Sequence, residues 1–425
     1  MSNEGTSVMS EQNNEKSALV PRLRFPEFQE TRDLVGVRDF FDHTDTSEKT
    51  EAFDKNRLLT VKLHANGVVK NEKTNLTGGA NYFNRRAGQF VFSKIDLLNG
   101  AFGIVPDALD GFASSSDVPA YSFKSNRSST FFVNWLKASY ERLNIERTGT
   151  STTLKRISPE KFLALDVPVP SDTEQIKIAN FLSSIDELFK REVEKLENLK
   201  AHKRGLMQHL FPREDETIPR FRFPQFLEAS EWKRRKISDL LKRSTKPVDV
   251  DSGATYQEIG IRSHGKGLFH KDFVSGKALG DKRVFWVEEN AFVVNIVFAW
   301  EQAVAVTSMQ EKGMIASHRF PMYVAQKSKS NVDFIKYFFL TKKGKELLGI
   351  ASPGGAGRNK TLGQKDFENL EFLSPEHVEE QAEIARCLSS LDNLIAAQSQ
   401  KIDAFKIHKK GLMQQLFPVM LEMHA

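Results

Sequence analysis

EQIKIANFLSSIDELF, Glu174 to Phe189, returns 206 residues later as EQAEIARCLSSLDNLI, Glu380 to Ile395. Working outward, the same offset carries GLMQHLFP (Gly205–Pro212) onto GLMQQLFP (Gly411–Pro418). An offset of 198 carries PRLRFPEF (Pro21–Phe28) onto PRFRFPQF (Pro219–Phe226). A period of about two hundred residues is far longer than a solenoid unit, so the repeat is a duplicated domain with its linker. Two copies of one module on one chain suit a protein that holds two related targets at a fixed separation.

Within the repeated stretch, apolar residues step by three and four. The first copy has Leu182, Ile185, Phe189, Leu196, Leu199, Leu206 and Leu210, with Glu192 and Lys203 in the same register. The second has Leu388, Leu391, Ile395, Ile402, Phe405, Leu412 and Leu416, with Gln398 and Lys409. This is a heptad seam. Roughly 35 residues at about 1.5 Å each give a helical rod of about 50 Å. An apolar stripe must be buried, and the nearest partner for each rod is the other. Antiparallel packing is favoured over parallel because it places the two globular regions at opposite ends and gives an approximate twofold. Glu192 and Gln398 either set register as polar seam residues or reach solvent. Pro168 and Pro170 break structure before the first rod. Ser171 or Asp172 then serves as N-cap, with Glu174 and Gln175 placed to complete a capping box.

The expected organisation is a disordered tail over 1–20, a first globular domain over 21–173 and a central helix over 174–212. A second globular domain over 213–379 and a C-terminal helix over 380–425 follow. The globular regions share weaker matches. Gly111, Ser115, Pro119 and Tyr121 fall on Gly313, Ser317, Pro321 and Tyr323 at an offset of 202, as do Phe90 and Val91 on Phe292 and Val293. Phe162 and Pro170 fall on Phe367 and Pro375 at 205. The fold class is therefore α+β, with two similar mixed α/β domains separated by two long helices packed as an antiparallel coiled coil, a pseudo-twofold internal repeat. QFVFS (Gln89–Ser93) reads as a strand, LTGGA (Leu76–Ala80) as a turn, Thr130 to Glu141 as a helix, and AFVVNIVFAW (Ala291–Trp300) as a buried strand too short to span a membrane.

Composition bounds the chemistry. The chain has 425 residues, 40% hydrophobic and 27% charged, with a net charge of +6, a balance that permits a nucleic-acid partner without demanding one. The single cysteine, Cys387, excludes an internal disulfide framework and suits a reducing cytoplasm. It stands where its repeat partner is Phe181 and reads as a small buried hydrophobe. The polar N-terminus lacks the pattern of a signal peptide. No GxxxxGK[ST] loop, HExxH pair or Asn/Asp-Pro-Pro-aromatic methyltransferase motif occurs, and Pro106-Asp107 lacks the Asp/Glu-x-Lys that would complete a nuclease site. Gly265-Lys266-Gly267 and Gly355-Ala356-Gly357 fall short of GxGxxG and read as turns.

The two EQ helices, the two GLMQ-x-LFP endings and the two PR-x-RFP openings together resemble the specificity subunit of type I restriction-modification enzymes. The resemblance covers nearly the whole chain. It implies that the globular regions are target recognition domains, each reading one half of a split, asymmetric sequence in double-stranded DNA. It implies that the helices are spacers that dock two modification subunits, and that restriction subunits join to make the nuclease. The cofactors it implies, S-adenosylmethionine, ATP and Mg²⁺, belong to those partner subunits. None is expected in this chain, which the resemblance makes non-catalytic, without a membrane partner. The alternatives from the residues alone are a coiled-coil scaffold without DNA readout and a solitary DNA-modifying enzyme with an unfamiliar site.

DNA binding needs phosphate contacts for affinity and base contacts for sequence. In the first domain the candidates are Arg85, Arg86, Asp117, Lys124, Arg127, Lys155 and Arg156. In the second they are Lys282, Arg283, His318, Arg319, Arg358, Asn359 and Lys360. Arg283 falls on Arg85 at an offset of 198, which suggests a shared phosphate role. Ser116 and Asp117 stand opposite His318 and Arg319 in the Gly-x-x-x-Ser frame. There Arg319 is placed to donate to guanine and Asp117 to accept from cytosine if the loop faces a groove, and otherwise both lie on a solvated turn. Gly354 to Lys360 and its counterpart RTGTSTTLKR (Arg147–Arg156) carry small, hydroxylated and basic residues suited either to gripping a backbone or to a plain surface loop.

Overall fold

A computed structural model describes residues 20–42, 48–50, 54–72, 81–149, 154–326, 329–354 and 360–418. The N-terminal tail and the LTGGA turn lie outside them. The chain divides into two compact units, one of residues 1–192 with 401–425 and the other of 193–400. Both long helices, Asp172–Leu210 and Val378–Leu416, are 39 residues and contribute one half to each unit.

The helices form because the seam residues find partners. In the first unit Glu192 meets Lys401 at 2.7 Å, Phe189 meets Phe405 with ring centroids 6.2 Å apart, and Asp186 pairs with Lys409. Numbers fall along one helix as they rise along the other, so these halves run antiparallel. In the second unit Lys203 meets Asp392 at 2.5 Å, and Leu206 and Leu210 share a core with Leu388 and Ile384, again antiparallel. Lys203–Asp392 and Lys409–Asp186 are one pair repeated at the 206-residue offset. Leu182, Ile185, Leu388, Leu391 and Ile402 are buried, while Phe189, Leu196, Leu199, Leu206, Ile395, Phe405 and Leu412 are half-buried. Gln398 is buried at 6% exposure, and Glu192 is half-buried and engages Lys401.

Each helix starts on a buried ion pair, and here the structure corrects the capping-box reading. Glu174 accepts from Arg24 at 2.6 Å and from Arg32 at 2.9 Å instead of turning back on its own helix. Glu380 accepts from Arg222 at 2.8 Å and from the Trp232 indole at 3.2 Å. Arg24 and Arg222 are the second arginines of the two PR-x-RFP boxes. The neighbouring glutamines close the turn, Gln175 donating to the Pro170 carbonyl (2.9 Å) and Gln381 to that of Pro375 (3.1 Å).

The GLMQ-x-LFP endings complete a core in each unit. Leu210 and Phe211 join Trp232, Phe334 and Phe338, whereas Met413, Leu416 and Phe417 join Phe131, Leu182 and Ile185. The backbone follows the same rule. The Phe221 amide donates to the His209 carbonyl (2.9 Å), and the Leu23 amide donates to that of Gln415 (3.0 Å). Each PR-x-RFP box thus lies along a helix end, the first box along the last helix.

The globular parts share strand registers. Tyr82–Asn84 pairs with Ala113–Ser115 as Val284–Trp286 pairs with Ile315–Ser317, each residue 202 apart. Phe90–Phe92 lies between Phe102–Ile104 and Ala120–Tyr121, as Ala291–Val294 lies between Val304–Val306 and Met322–Ala325. Gly111 (φ 71°) and Gly313 (φ 82°) occupy the same left-handed turn, where a β-carbon is disfavoured. The stretch Ala291–Trp300 is strand only to Val294. Asn295 then accepts from the Val297 amide (3.1 Å) and turns the chain into a short 3₁₀ helix, Ala299–Glu301. Gly265-Lys266-Gly267 forms a turn closed by the Arg262 amide on the Gly267 carbonyl at 3.0 Å.

Removing a buried cation from a paired carboxylate leaves an uncompensated charge. Arg222→Ala is therefore expected to cost about 3–5 kcal/mol, and Arg222→Ala with Glu380→Gln markedly less. Denaturant unfolding of both variants checks this; equal losses would show that packing, not charge, is what Arg222 supplies. Reversing Asp186→Lys alone is expected to destabilise by less than about 1 kcal/mol, with recovery on adding Lys409→Asp. A thermal-melt double-mutant cycle reads the coupling.

Candidate nucleic-acid interface

In each unit three backbone segments converge at one corner. In the first, the Lys94 amide donates to the Asp117 carbonyl (2.9 Å) and the Ile157 amide donates to that of Lys94 (2.8 Å). In the second, the Ile296 amide donates to the Arg319 carbonyl (3.0 Å) and the Leu362 amide to that of Ile296 (2.8 Å). Asp117 and Arg319 therefore hold one structural position, as do Lys155 and Lys360, and Arg156 and Thr361.

The chemistry at that shared corner differs. Both Asp117 carboxylate oxygens accept from Arg156, Nε at 2.8 Å and Nη2 at 3.0 Å. The Arg156 hydrogen bond holds the Asp117 carboxyl below the usual carboxylate range, against a smaller opposing effect of burial. Lys94 adds a weaker pull in the same direction, and Lys155 is exposed beside the pair. In the second unit Arg319 is exposed, its neighbour at the Arg156 position is a threonine, and Lys360 lies 5.5 Å from the centroid of the Trp300 ring. One corner carries a cation locked to a carboxylate, and the other an open guanidinium.

His318 and Arg283 extend the second corner. The His318 amide donates to the Arg283 carbonyl (3.1 Å), and both side chains are exposed. Lys282, next along the edge, is paired with Glu258, which Lys271 also reaches at 3.2 Å. The two lysines outweigh burial and hold the Glu258 carboxyl below its usual range.

Arg85 is placed differently from its reading in sequence. It is 1% exposed, donates from Nε to Ser114 Oγ (2.7 Å) and from Nη2 to the Val118 carbonyl (2.9 Å), and braces the loop from inside. Nor does Arg283 match it. The Arg85 amide bonds to Phe112 O as the Val287 amide bonds to Met314 O, so the counterpart of Arg85 is buried Val287 and that of Arg283 is Asn81. Strand register sets the offset here at 202, not 198. Arg86 is exposed beside Glu48 (3.2 Å). Lys124 and Arg127 bracket Phe40, the Lys124 amide bonding its carbonyl (2.9 Å) and Arg127 lying over its ring at 5.6 Å. Arg358 and Asn359 lie outside the described residues.

Sequence reasoning passed over Lys94, which has no basic counterpart because Ile296 stands there. It also passed over a polar cleft of about 680 Å³ in the first unit, lined by Glu48, Thr50, Asp54, Arg57 and Asn84. Its only signal in sequence is a scatter of polar residues that strand pairing gathers. Among the described residues no cluster of His, Cys, Asp or Glu could hold a metal ion, and no helix is long and apolar enough to cross a membrane.

Comparison with known proteins accords with this duplicated frame. The family model described as type I restriction modification DNA specificity domain matches twice, over residues 40–201 and 229–405. The type I restriction enzyme MjaVIII specificity subunit of Methanocaldococcus jannaschii is 23% identical over 314 residues, 67% of this chain and 68% of that one. The putative MjaX specificity subunit of the same organism is 22% identical over 310 residues, 68% of each chain. Among solved structures, the type I restriction-modification S subunit from M. genitalium covers 95% of this chain and 100% of its own at a TM-score of 0.54 and 15% identity. A chain from work on complex assembly and conformational transition of the type I R-M system covers 93% and 100% at a TM-score of 0.55 and 13% identity. With two specificity domains matched over most of its length, the chain belongs to the type I restriction-modification specificity family, as a non-catalytic specificity subunit with two target recognition domains.

Proposed function

We propose that the domains spanning 21–173 and 213–379 each read one half of a bipartite, asymmetric DNA sequence, and that the helices over 174–212 and 380–425 set the gap between the halves. The observation that carries this reading is the shared corner. One backbone frame presents Asp117 locked to Arg156 in one unit and exposed Arg319 in the other. An identical scaffold with different chemistry at the same point is what two different half-sites require. Arg319 is suited to guanine and Asp117 to the exocyclic amine of cytosine, which must compete with Arg156 for the carboxylate. Arg283, His318, Lys155 and Lys360 supply the phosphate grip around these points, with Lys282 and Arg86 able to exchange their carboxylate partners for phosphate. Lys124, Arg127, Arg358 and Asn359 are secondary candidates in the same role. Arg85 acts behind the surface by holding the Ser114–Val118 loop.

The finer assembly belongs to the same proposal. Two modification subunits dock on the helices, bind S-adenosylmethionine and methylate adenine, and restriction subunits using ATP and Mg²⁺ complete the nuclease in the cytoplasm. This chain contributes the sequence address and none of the covalent chemistry.

Methylome mapping in a host carrying each variant tests the reading. Arg319→Ala is expected to weaken recognition by about 1–3 kcal/mol and to relax one position of a single half-site. Loss of both half-sites together, or of neither, would refute the assignment. Inserting one heptad into each helix at matched positions is expected to lengthen the unspecified gap while both half-sites stay the same. An altered half-site with an unchanged gap would refute the ruler.

A further inference from the structure

The turns Lys62–Gly67 and Arg262–Gly267 stand 200 residues apart and close the same hairpin. Val61 pairs with Val68 across the first, and Ile261 with Leu268 across the second. The Lys62 amide donates to the Gly67 carbonyl (2.8 Å), as the Arg262 amide does to that of Gly267. Only two of the turn positions are identical in both copies, the histidine and the final glycine. Gly67 (φ 76°) and Gly267 (φ 77°) are explained by their left-handed backbone. His64 (φ 58°) and His264 (φ 61°) are not, because that backbone penalises a β-carbon and glycine would occupy it at lower cost.

The fold uses the histidine backbone and leaves the imidazole idle. The His64 amide donates to the Asn99 carbonyl (2.8 Å), and the His264 amide to that of Glu301 (2.7 Å). Both side chains are exposed, and neither imidazole has a hydrogen-bond partner among the described residues. Two residues earlier stands a cation in each copy. Lys62 is exposed and unpaired among the described residues, and Arg262 is exposed over the Phe269 ring, 4.8 Å from its centroid. The carboxylates beside the turns are engaged, Asp96 by Asn99 (2.9 Å) and Glu301 by Ser263 (2.9 Å). These backbone bonds seat each turn at the far end of the connection that begins at the shared corner, from Lys94 to Asn99 or from Ile296 to Glu301. Six extended residues reach about 20 Å, and the 3₁₀ turns Leu97–Asn99 and Ala299–Glu301 shorten that reach. The major groove is about 12 Å wide, so a base edge at the corner and a flanking phosphate at the turn fit one duplex.

We infer that His64 and His264 are twin contacts to the DNA backbone, each donating an imidazole N–H to a phosphodiester oxygen beside the half-site its own unit reads. Lys62 and Arg262 supply the charge at the same points. The inference rests on the DNA readout proposed above and adds a second point of attachment, common to both units. Identity is what assigns phosphate rather than base. The corner residues Asp117 and Arg319 differ, as different bases require, whereas the phosphate is the same at every step and a residue that holds it need not change.

The test uses the chain assembled with its cognate modification subunits, a duplex bearing the methylated target and a scrambled duplex. His64→Gly and His264→Gly remove the imidazole and relax the backbone, so the melting temperature is expected to hold or rise. Each is expected to weaken binding of both duplexes about three- to tenfold, and the double variant by the product. His→Asn, which keeps a donor and tolerates the left-handed turn, should fall between. Lys62→Gln and Arg262→Gln should each lower the slope of log affinity against log salt by about 0.9. Methylome mapping should leave every specified base of both half-sites unchanged. Parent-like affinity in the double glycine variant would overturn the inference while leaving the DNA readout intact. So would a relaxed base position, which would make the histidine a base reader, or loss of modification subunits from the variant in native mass spectrometry, which would place the turn at a protein contact. A parent assembly that binds target and scrambled duplexes equally would overturn the readout itself.

Discussion

The structure depends on a carboxylate buried at the start of each long helix. Glu174 and Glu380, each with 1% of the side chain exposed, are held by arginines from a segment about 150 residues earlier in sequence. A buried charge is tolerated only when fully paired, so the pairing fixes more than it stabilises. It ties the entry strap of a globular region to the first turn of the helix that leaves it. Everything between Arg24 and Glu174, or Arg222 and Glu380, becomes a closed loop of chain whose ends are pinned together. The residues proposed to read DNA lie within that loop, whose ends are set by a contact of fixed geometry.

Between the pins, backbone register does the rest. The equivalent strand pairs at an offset of 202 place Asp117 and Arg319 at one point of one frame, so a change of side chain there changes what the unit presents without moving the point itself. The interhelical pairs act in a similar way. Lys203 faces Asp392 and Lys409 faces Asp186 only when the helices oppose each other, whereas a parallel alignment of the two copies would set lysine against lysine.

Much of this was legible in the sequence, and the failures are instructive. The helices followed from the heptad steps and the apolar stripe, whereas antiparallel pairing was favoured only for the approximate twofold it gives the duplicated chain. The shared corner followed from the Gly111 and Gly313 frame, because a left-handed turn tolerates few residues and marks position well. The role of Glu174 was misread, since local spacing suggests a cap and the true partners, Arg24 and Arg32, are distant in sequence. The match of Arg85 to Arg283 failed because the offset drifts. It is 198 at the PR-x-RFP boxes, 200 at the turn of His64 and His264, and 202 by the strand of Tyr82 and Val284. Small insertions in loops cost little free energy but displace every alignment made across them. Which candidate side chains are exposed could not be read at all, because burial of Arg85 is decided by a loop thirty residues away.

The way the GLMQ-x-LFP endings are used has a consequence for how the protein is made. The unit of 193–400 is one uninterrupted run, so all its core residues have been synthesised once Gln400 has been added. The other unit lacks Met413, Leu416 and Phe417 until those residues are added, although Phe131 and Leu182 of the same core emerged far earlier. During translation the earlier-made half carries an apolar gap beside Phe131 and Leu182 that only the final turns of helix can fill. Shortened chains ending before Met413 would leave that gap open, so damage to the last turns of the second long helix is felt in the core around Phe131 and Leu182.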